Sequence, residues 1–143
     1  MKDVQSISRE IREKAGNTRS IVSIAIFGST ARREGHPDSD VDLLIVAENI
    51  TKNRIQRILD IVKIQKELDL GLPLDILLVS KDECQLNFRN HNPLYLDIAV
   101  DAEIVYDDGF LENLIKETKE YIDSHHIRRG SGSWSFPVIE RTV

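Results

Sequence analysis

Two stretches of the chain carry residues whose types and spacing suit phosphate chemistry. Gly28-Ser29 closes one apolar run and, ten residues later, Asp40-Val41-Asp42 opens another; a third acid, Asp75, interrupts the apolar stretch Leu74 to Val79. Side chains alternate across a strand, so Asp40 and Asp42 share a face, with Cα atoms roughly 6 to 7 Å apart. Carboxylates that close repel unless a cation lies between them. Asp75 alone in its run is costly to bury unpaired, and if that run lies beside the strand opened by Asp40, three acids converge. Such a cluster suits a hard divalent cation, above all magnesium, which keeps several waters and is completed by substrate phosphates. Two ions about 3.5 to 4 Å apart would activate an attacking oxygen and neutralise a leaving pyrophosphate. The chemistry implied is phosphoryl or nucleotidyl transfer.

Gly28 and Ser29 supply the other half. The run Ile21 to Phe27 ends in Gly-Ser and leads into Thr30-Ala31-Arg32-Arg33, the pattern of a strand-to-helix turn whose free amides and dipole attract anions. Gly28 allows close backbone approach, the Ser29 hydroxyl can donate to a phosphate oxygen, and Arg32 or Arg33 can reach the same triphosphate by charge-assisted bonds. Magnesium-bound ATP fits this arrangement better than a bare anion.

At these residues the chain resembles the minimal nucleotidyltransferases of the DNA polymerase β superfamily, whose hallmark is Gly-Ser, ten residues, Asp-x-Asp. Gly28-Ser29-Thr30-Ala31-Arg32 and Pro37-Asp38-Ser39-Asp40-Val41-Asp42-Leu43-Leu44-Ile45-Val46 are similar to the family's wording on both sides of the spacer, and Leu74-Asp75-Ile76 to the segment bearing its third carboxylate. One departure is Arg33, where many members have glycine. The resemblance implies that Asp40 and Asp42 hold the metals, that Asp75 completes the catalytic metal site and helps deprotonate the attacking hydroxyl, and that Ser29 holds the terminal phosphates while Gly28 makes room for them. An acceptor hydroxyl would then attack the α-phosphate and expel pyrophosphate, by positioning and charge neutralisation.

The elements that must position these residues can be read from periodicity. Ile21 to Phe27, Val41 to Val46 and Leu74 to Val79 are strand patterns, and Glu103 to Tyr106 is a short fourth. Helices are expected over Asp3 to Gly16, capped near Gly16-Asn17; over Asn53 to Leu70, with Ile55, Ile58, Leu59 and Val62 on one face widened by Ile61, Ile64 and Leu68; over Ser80 to Arg89 with Ser80 as cap; over Pro93 to Val100; and over Phe110 to Ser124. The fold class is α/β: a small mixed sheet of about four to five strands with helices mainly on one face. The domain should span residues 1–126, followed by a tail at 127–143 that packs on the domain, on a partner or on a second copy of the chain. In that tail, Arg128-Arg129-Gly130-Ser131-Gly132-Ser133 reads as flexible and Trp134 to Ile139 as apolar and extended.

Composition narrows the class. A chain of 143 residues is one domain by default, able to bury ~68 to 70% of its unfolded surface. Its net charge of −5 disfavours DNA binding through a broad basic field; Lys52, Arg54, Arg57, Lys63 and Lys66 read as a solvated helix face. The single cysteine, Cys84, excludes an internal disulfide, reads as a structural thiol and argues for a reducing cytoplasm. No run is long enough to span a membrane, and the polar start Met1-Lys2-Asp3-Val4-Gln5 has no signal-peptide pattern. Adjacent His125 and His126 point about 100° apart on a helix and cannot readily share an ion. His36 and Asp38 read as loop and turn residues, and the tyrosines as packing groups.

These features converge on a cytoplasmic, magnesium-dependent nucleotidyltransferase using ATP, with Asp40, Asp42 and Asp75 as metal ligands and Gly28, Ser29 and Arg32 at the nucleotide. The acceptor stays open. Family members without a substrate domain resemble the antitoxin half of a two-component system that adds AMP to a tyrosine of a separate HEPN-type toxin. The alternatives are a nucleotide-binding antitoxin that works by occupancy alone, and an enzyme acting on RNA ends or small molecules.

Overall fold

The computed structural model describes residues 3–15, 20–34 and 40–137. The helix cap expected at Gly16-Asn17, the spacer residues His36, Pro37, Asp38 and Ser39, and the tail's Val138 and Ile139 lie outside these residues. In chain order the elements are α1 (Val4–Ala15), β1 (Ile21–Phe27), α2 (Gly28–Ala31), β2 (Val41–Ala47), α3 (Arg54–Leu68), β3 (Leu74–Val79), α4 (Lys81–Arg89), α5 (Pro93–Asp101), β4 (Glu103–Asp107), α6 (Phe110–Ser124), β5 (Arg128–Arg129) and β6 (Trp134–Ser135). The main sheet has four strands in the order β3-β2-β1-β4. It is mixed: β1 runs antiparallel to both β2 and β4, whereas β2 and β3, joined through α3, are parallel.

The expected α/β class and strand count hold, but the helices do not gather on one face. Leu43, Leu44, Ile45 and Val46 are all fully buried, so successive residues of β2 point into apolar surroundings on opposite faces. A strand buried on both sides needs a layer on each. α1 and α3 cover the face carrying Ile24, Ile26, Leu43 and Ile45; α4, α5 and α6 cover the one carrying Val22, Ala25, Leu44 and Val46.

Local chemistry sets the helix ends. Asn53 caps α3 by accepting from the Gln56 amide, Ser80 and Glu83 form a reciprocal capping box at α4, and Asn92 caps α5 with Pro93 in its first turn. α3 is rotated relative to its strongest apolar stripe. Leu68 is buried and Ile61 and Ile64 pack on the core, whereas Ile55, Ile58 and Leu59 are 73%, 59% and 56% exposed. Polar tethers fix that rotation. Arg57 donates to the Leu78 carbonyl at 3.2 Å and to Glu83 at 2.9 Å, and Gln65 donates to the Leu74 carbonyl at 3.1 Å. Arg57 is therefore a clamp between α3, β3 and α4 rather than part of a solvated basic face.

Residues 125–137, after α6, pack against the domain. Ile127 is buried with Leu96 and Ile122, and Trp134 packs on that cluster. β5 and β6 form a small hairpin closed by the Gly130 amide donating to the Ser133 carbonyl, where sequence alone reads a flexible linker. Cys84 is fully buried, and burial pushes its thiol up to about 12, in keeping with a structural role.

Candidate active site

The acids meet because of strand register. β2 and β3 pair in parallel with Asp42 level with Asp75, so the two carboxylates leave neighbouring strands, about 4.8 Å apart, on one face. The Val41 amide donates to the Pro73 carbonyl at 2.9 Å, which pins the start of β2 to the turn before β3 and holds this register. β1 runs the other way and ends with Phe27 opposite Asp42. The residue that follows, Gly28, is thereby set beside the Asp42 carboxylate.

Gly28 is required there on two counts. Its φ is +70°, and a Cβ on it would lie against Asp42 Oδ2 and 3.1 Å from Cγ. Its missing side chain is the space that the carboxylate occupies. The helix expected after Gly-Ser is a single turn, α2, so attraction for an anion rests on the amides of a helix start rather than on a long dipole. The turn closes with Arg32 N donating to Gly28 O, Arg33 N to Thr30 O and Glu34 N to Ser29 O, at 3.2, 3.1 and 2.9 Å. Arg33 has φ +62°: it adopts the left-handed conformation that a glycine would take freely.

Electrostatics bind the three acids into one set. The Asp42 carboxyl is raised above its ordinary range, first by burial, then by the charge of Asp75 and a hydrogen bond with it, then by the charge of Asp40, while Arg32 pulls the other way. Asp40 and Asp75 are exposed and Asp42 is half-buried. Among the described residues, no group of three or more His, Cys, Asp or Glu side chains is gathered so that it could hold a metal ion. Carboxylate oxygens are the donors that a hard cation such as magnesium takes, and Asp42 lies in the space that Gly28 leaves for it.

Of the residues marked out from sequence, Gly28, Asp42 and Asp75 are brought together by the sheet, Asp40 acts on Asp42 through its charge, and Ser29 lies in the same turn. Arg32 is engaged differently from expectation. Its Nε donates to Glu34 at 3.2 Å and its Nη1 to Asp101 at 3.1 Å. Asp101, Asp97 and Arg129 are functional candidates that sequence reading missed. The one local signal was the i, i+4 spacing of Asp97 and Asp101 on α5; their partner lies in the hairpin.

The chain belongs to the nucleotidyltransferase domain family, whose family model matches residues 4–106. Among its relatives, it is 32% identical over 117 residues to a Methanocaldococcus jannaschii protein named as a candidate protein adenylyltransferase, covering 80% of this chain and 77% of that one. A second protein of the same organism and description is 27% identical over 107 residues, 74% of this chain and 96% of the other. Similar solved structures include a toxin–antitoxin complex with AMP-PNP, at 18% identity and TM-score 0.47 over 83% of this chain and 92% of that one. Another is a tri-AMPylated Shewanella oneidensis HEPN toxin in complex with MNT antitoxin, at 17% identity and TM-score 0.43 over 85% and 92%. No described helix is long and apolar enough to cross a membrane.

Proposed function

We propose that this nucleotidyltransferase moves AMP from ATP, with magnesium, onto a hydroxyl of a separate protein, a tyrosine of a helical HEPN-type toxin being the acceptor that best suits the resemblance. The observation that carries the reading is the register of Asp42 with Asp75 beside a glycine with room only for the Asp42 carboxylate. The relatives named as candidate protein adenylyltransferases support AMP as the transferred group and protein as the acceptor. In this reading Asp40, Asp42 and Asp75 hold the metal, Ser29 and the α2 amides hold the terminal phosphates, and Arg32 adds positive charge beside them. Residues 1–126 make up the catalytic unit, with residues 127–137 packed on it.

Bound magnesium supplies charge neutralisation for the departing pyrophosphate. The protein does the rest by placement. The acceptor oxygen forms a bond to the α-phosphorus, the bond from that phosphorus to the bridging oxygen breaks, and the hydroxyl proton passes to Asp75. Incubation with radiolabelled ATP, magnesium and the product of the adjacent gene tests this. Label on that protein from wild type, and none from the Asp40→Asn plus Asp42→Asn variant, is the expected result. Neutralisation of the neighbour by both proteins without label would establish the occupancy-only antitoxin instead, and label on RNA would assign a different acceptor.

A further inference from the structure

Arg32 leaves the nucleotide turn and ends on a carboxylate of another helix. Asp101, the last residue of α5, has a side chain only 7% exposed and is bonded to two guanidinium groups at once. Its Oδ2 accepts from Arg32 Nη1 and from Arg129 Nη2, and its Oδ1 from Arg129 Nη1 at 2.9 Å. Arg129 also donates from Nε and Nη2 to Asp97, one turn earlier on α5. Trp134, across the hairpin, donates its indole N–H to the same Asp97 oxygen at 3.0 Å and lies under the Arg129 guanidinium at 5.5 Å. A chain of contacts thus runs from the C-terminal hairpin through α5 to the turn that carries Gly28 and Ser29.

We propose that Asp101 is a positioning residue for the nucleotide, acting through Arg32, and that the β5–β6 hairpin belongs to the nucleotide site because Arg129 fixes Asp101. This rests on the reading of Arg32 as a triphosphate ligand. Arginine has long, entropically costly freedom to lose, and a fork already held on Nε and Nη1 presents its charge to an incoming phosphate with much of that cost met beforehand. Arg129 is suited to its part because a planar fork can engage both carboxylates of α5, which a lysine cannot do. The bond to Arg129 is the main cause holding the Asp101 carboxyl below its usual range, so the anchor stays ionised wherever the enzyme works.

The test is calorimetric titration of the full chain, in magnesium, with a nonhydrolysable ATP analogue and with AMP. Arg32→Ala, Asp101→Asn, Arg129→Lys and the Arg32→Ala/Asp101→Asn double variant are compared with wild type. Asp101→Asn should weaken the ATP analogue about tenfold, the size of one charge-assisted hydrogen bond, and leave AMP unchanged because AMP lacks the terminal phosphates. The double variant should bind no worse than Arg32→Ala alone. Arg129→Lys should show the same selectivity with a smaller loss, and it carries the test if Asp101→Asn does not fold. A purely structural role would lower melting temperature while weakening both ligands alike or neither, and would overturn the proposal. If Arg32→Ala weakens the analogue but Asp101→Asn and Arg129→Lys do not, the proposal fails and the Arg32 reading stands. If Arg32→Ala binds like wild type, both fail.

Discussion

Replacing Gly28 by alanine separates two effects that the structure superimposes at one residue. The backbone is at φ +70°, which costs an L-residue about 1 to 2 kcal/mol. The new methyl would also collide with Asp42 Oδ2 and stand 3.1 Å from Cγ, so the carboxylate must leave its rotamer at about 0.5 to 1.5 kcal/mol. Gly71 provides the control. Its φ is +66° and nothing lies within 4 Å of a Cβ built on it, so Gly71→Ala measures the backbone cost alone. Urea denaturation should give Gly28→Ala as roughly 1 kcal/mol less stable than Gly71→Ala, a further loss of about 3 to 5 °C in Tm for a domain of this size. In an Asp42→Ala background the difference should vanish, because Asp42 Cβ, at 3.4 Å, is in ordinary contact range. If Asp42 holds the metal as proposed, nucleotidyl transfer should suffer more than stability, since misplacing a catalytic group by about 1 Å can cost 10²-fold in rate. Equal losses for Gly28→Ala and Gly71→Ala, unchanged when Asp42 is truncated, would refute the claim that Gly28 exists to house the Asp42 carboxylate.

Three further outcomes follow from the same geometry. Arg33→Gly should stabilise the fold by about 1 kcal/mol in chemical denaturation, because it relieves a left-handed arginine; an unchanged or lower midpoint would show that the arginine side chain compensates its backbone. Asp101→Asn should destabilise at neutral pH. Its folded carboxyl lies below the ordinary value of 3.8, so the unfolded chain takes up the proton first. The stabilisation is therefore present above about pH 4, declines as pH falls through the folded value, and in acid the variant and wild-type stabilities should converge. Asp42→Asn should act with the opposite sign. Its folded carboxyl is raised, so the stability it contributes is complete only below 3.8 and is lost as pH rises through the folded value. In chelator, near neutral pH, the variant should melt higher than wild type, and added magnesium should raise wild-type Tm but not the variant's.

Much of this architecture was legible because it is written locally. Ile21 to Phe27 and Leu74 to Val79 are apolar and β-branched between turn signals, and the strands begin and end where those runs do. Ser80 three residues before Glu83 announces its capping box. The acids and Gly28-Ser29 carry their meaning in their spacing. What escaped depends on contacts distant in sequence. The orientation of α3 is decided by Arg57 and Gln65 reaching carbonyls of β3, against the pull of its widest apolar stripe. Helices on both faces were implied by the unbroken run Leu43 to Val46, which alternation alone does not reveal. The hairpin is held by pairs 28 and 32 residues apart, for which no periodicity exists.

The position of Asp101 also bears on the metal site of the proposed function. Arg32 is near enough for its charge to lower the Asp42 carboxyl, yet its hydrogen bonds go to Glu34 and Asp101. Had that guanidinium closed on Asp42 as a bidentate pair, the charge that attracts a divalent ion would have been neutralised from within, and a metal would have to break a strong bond to enter. With the arginine anchored on α5, burial first and its like-charged neighbours second keep the Asp42 carboxyl raised. On the proposed function, a magnesium-bound triphosphate would meet the acids through its metal and the turn of Gly28 and Ser29 through its phosphate oxygens.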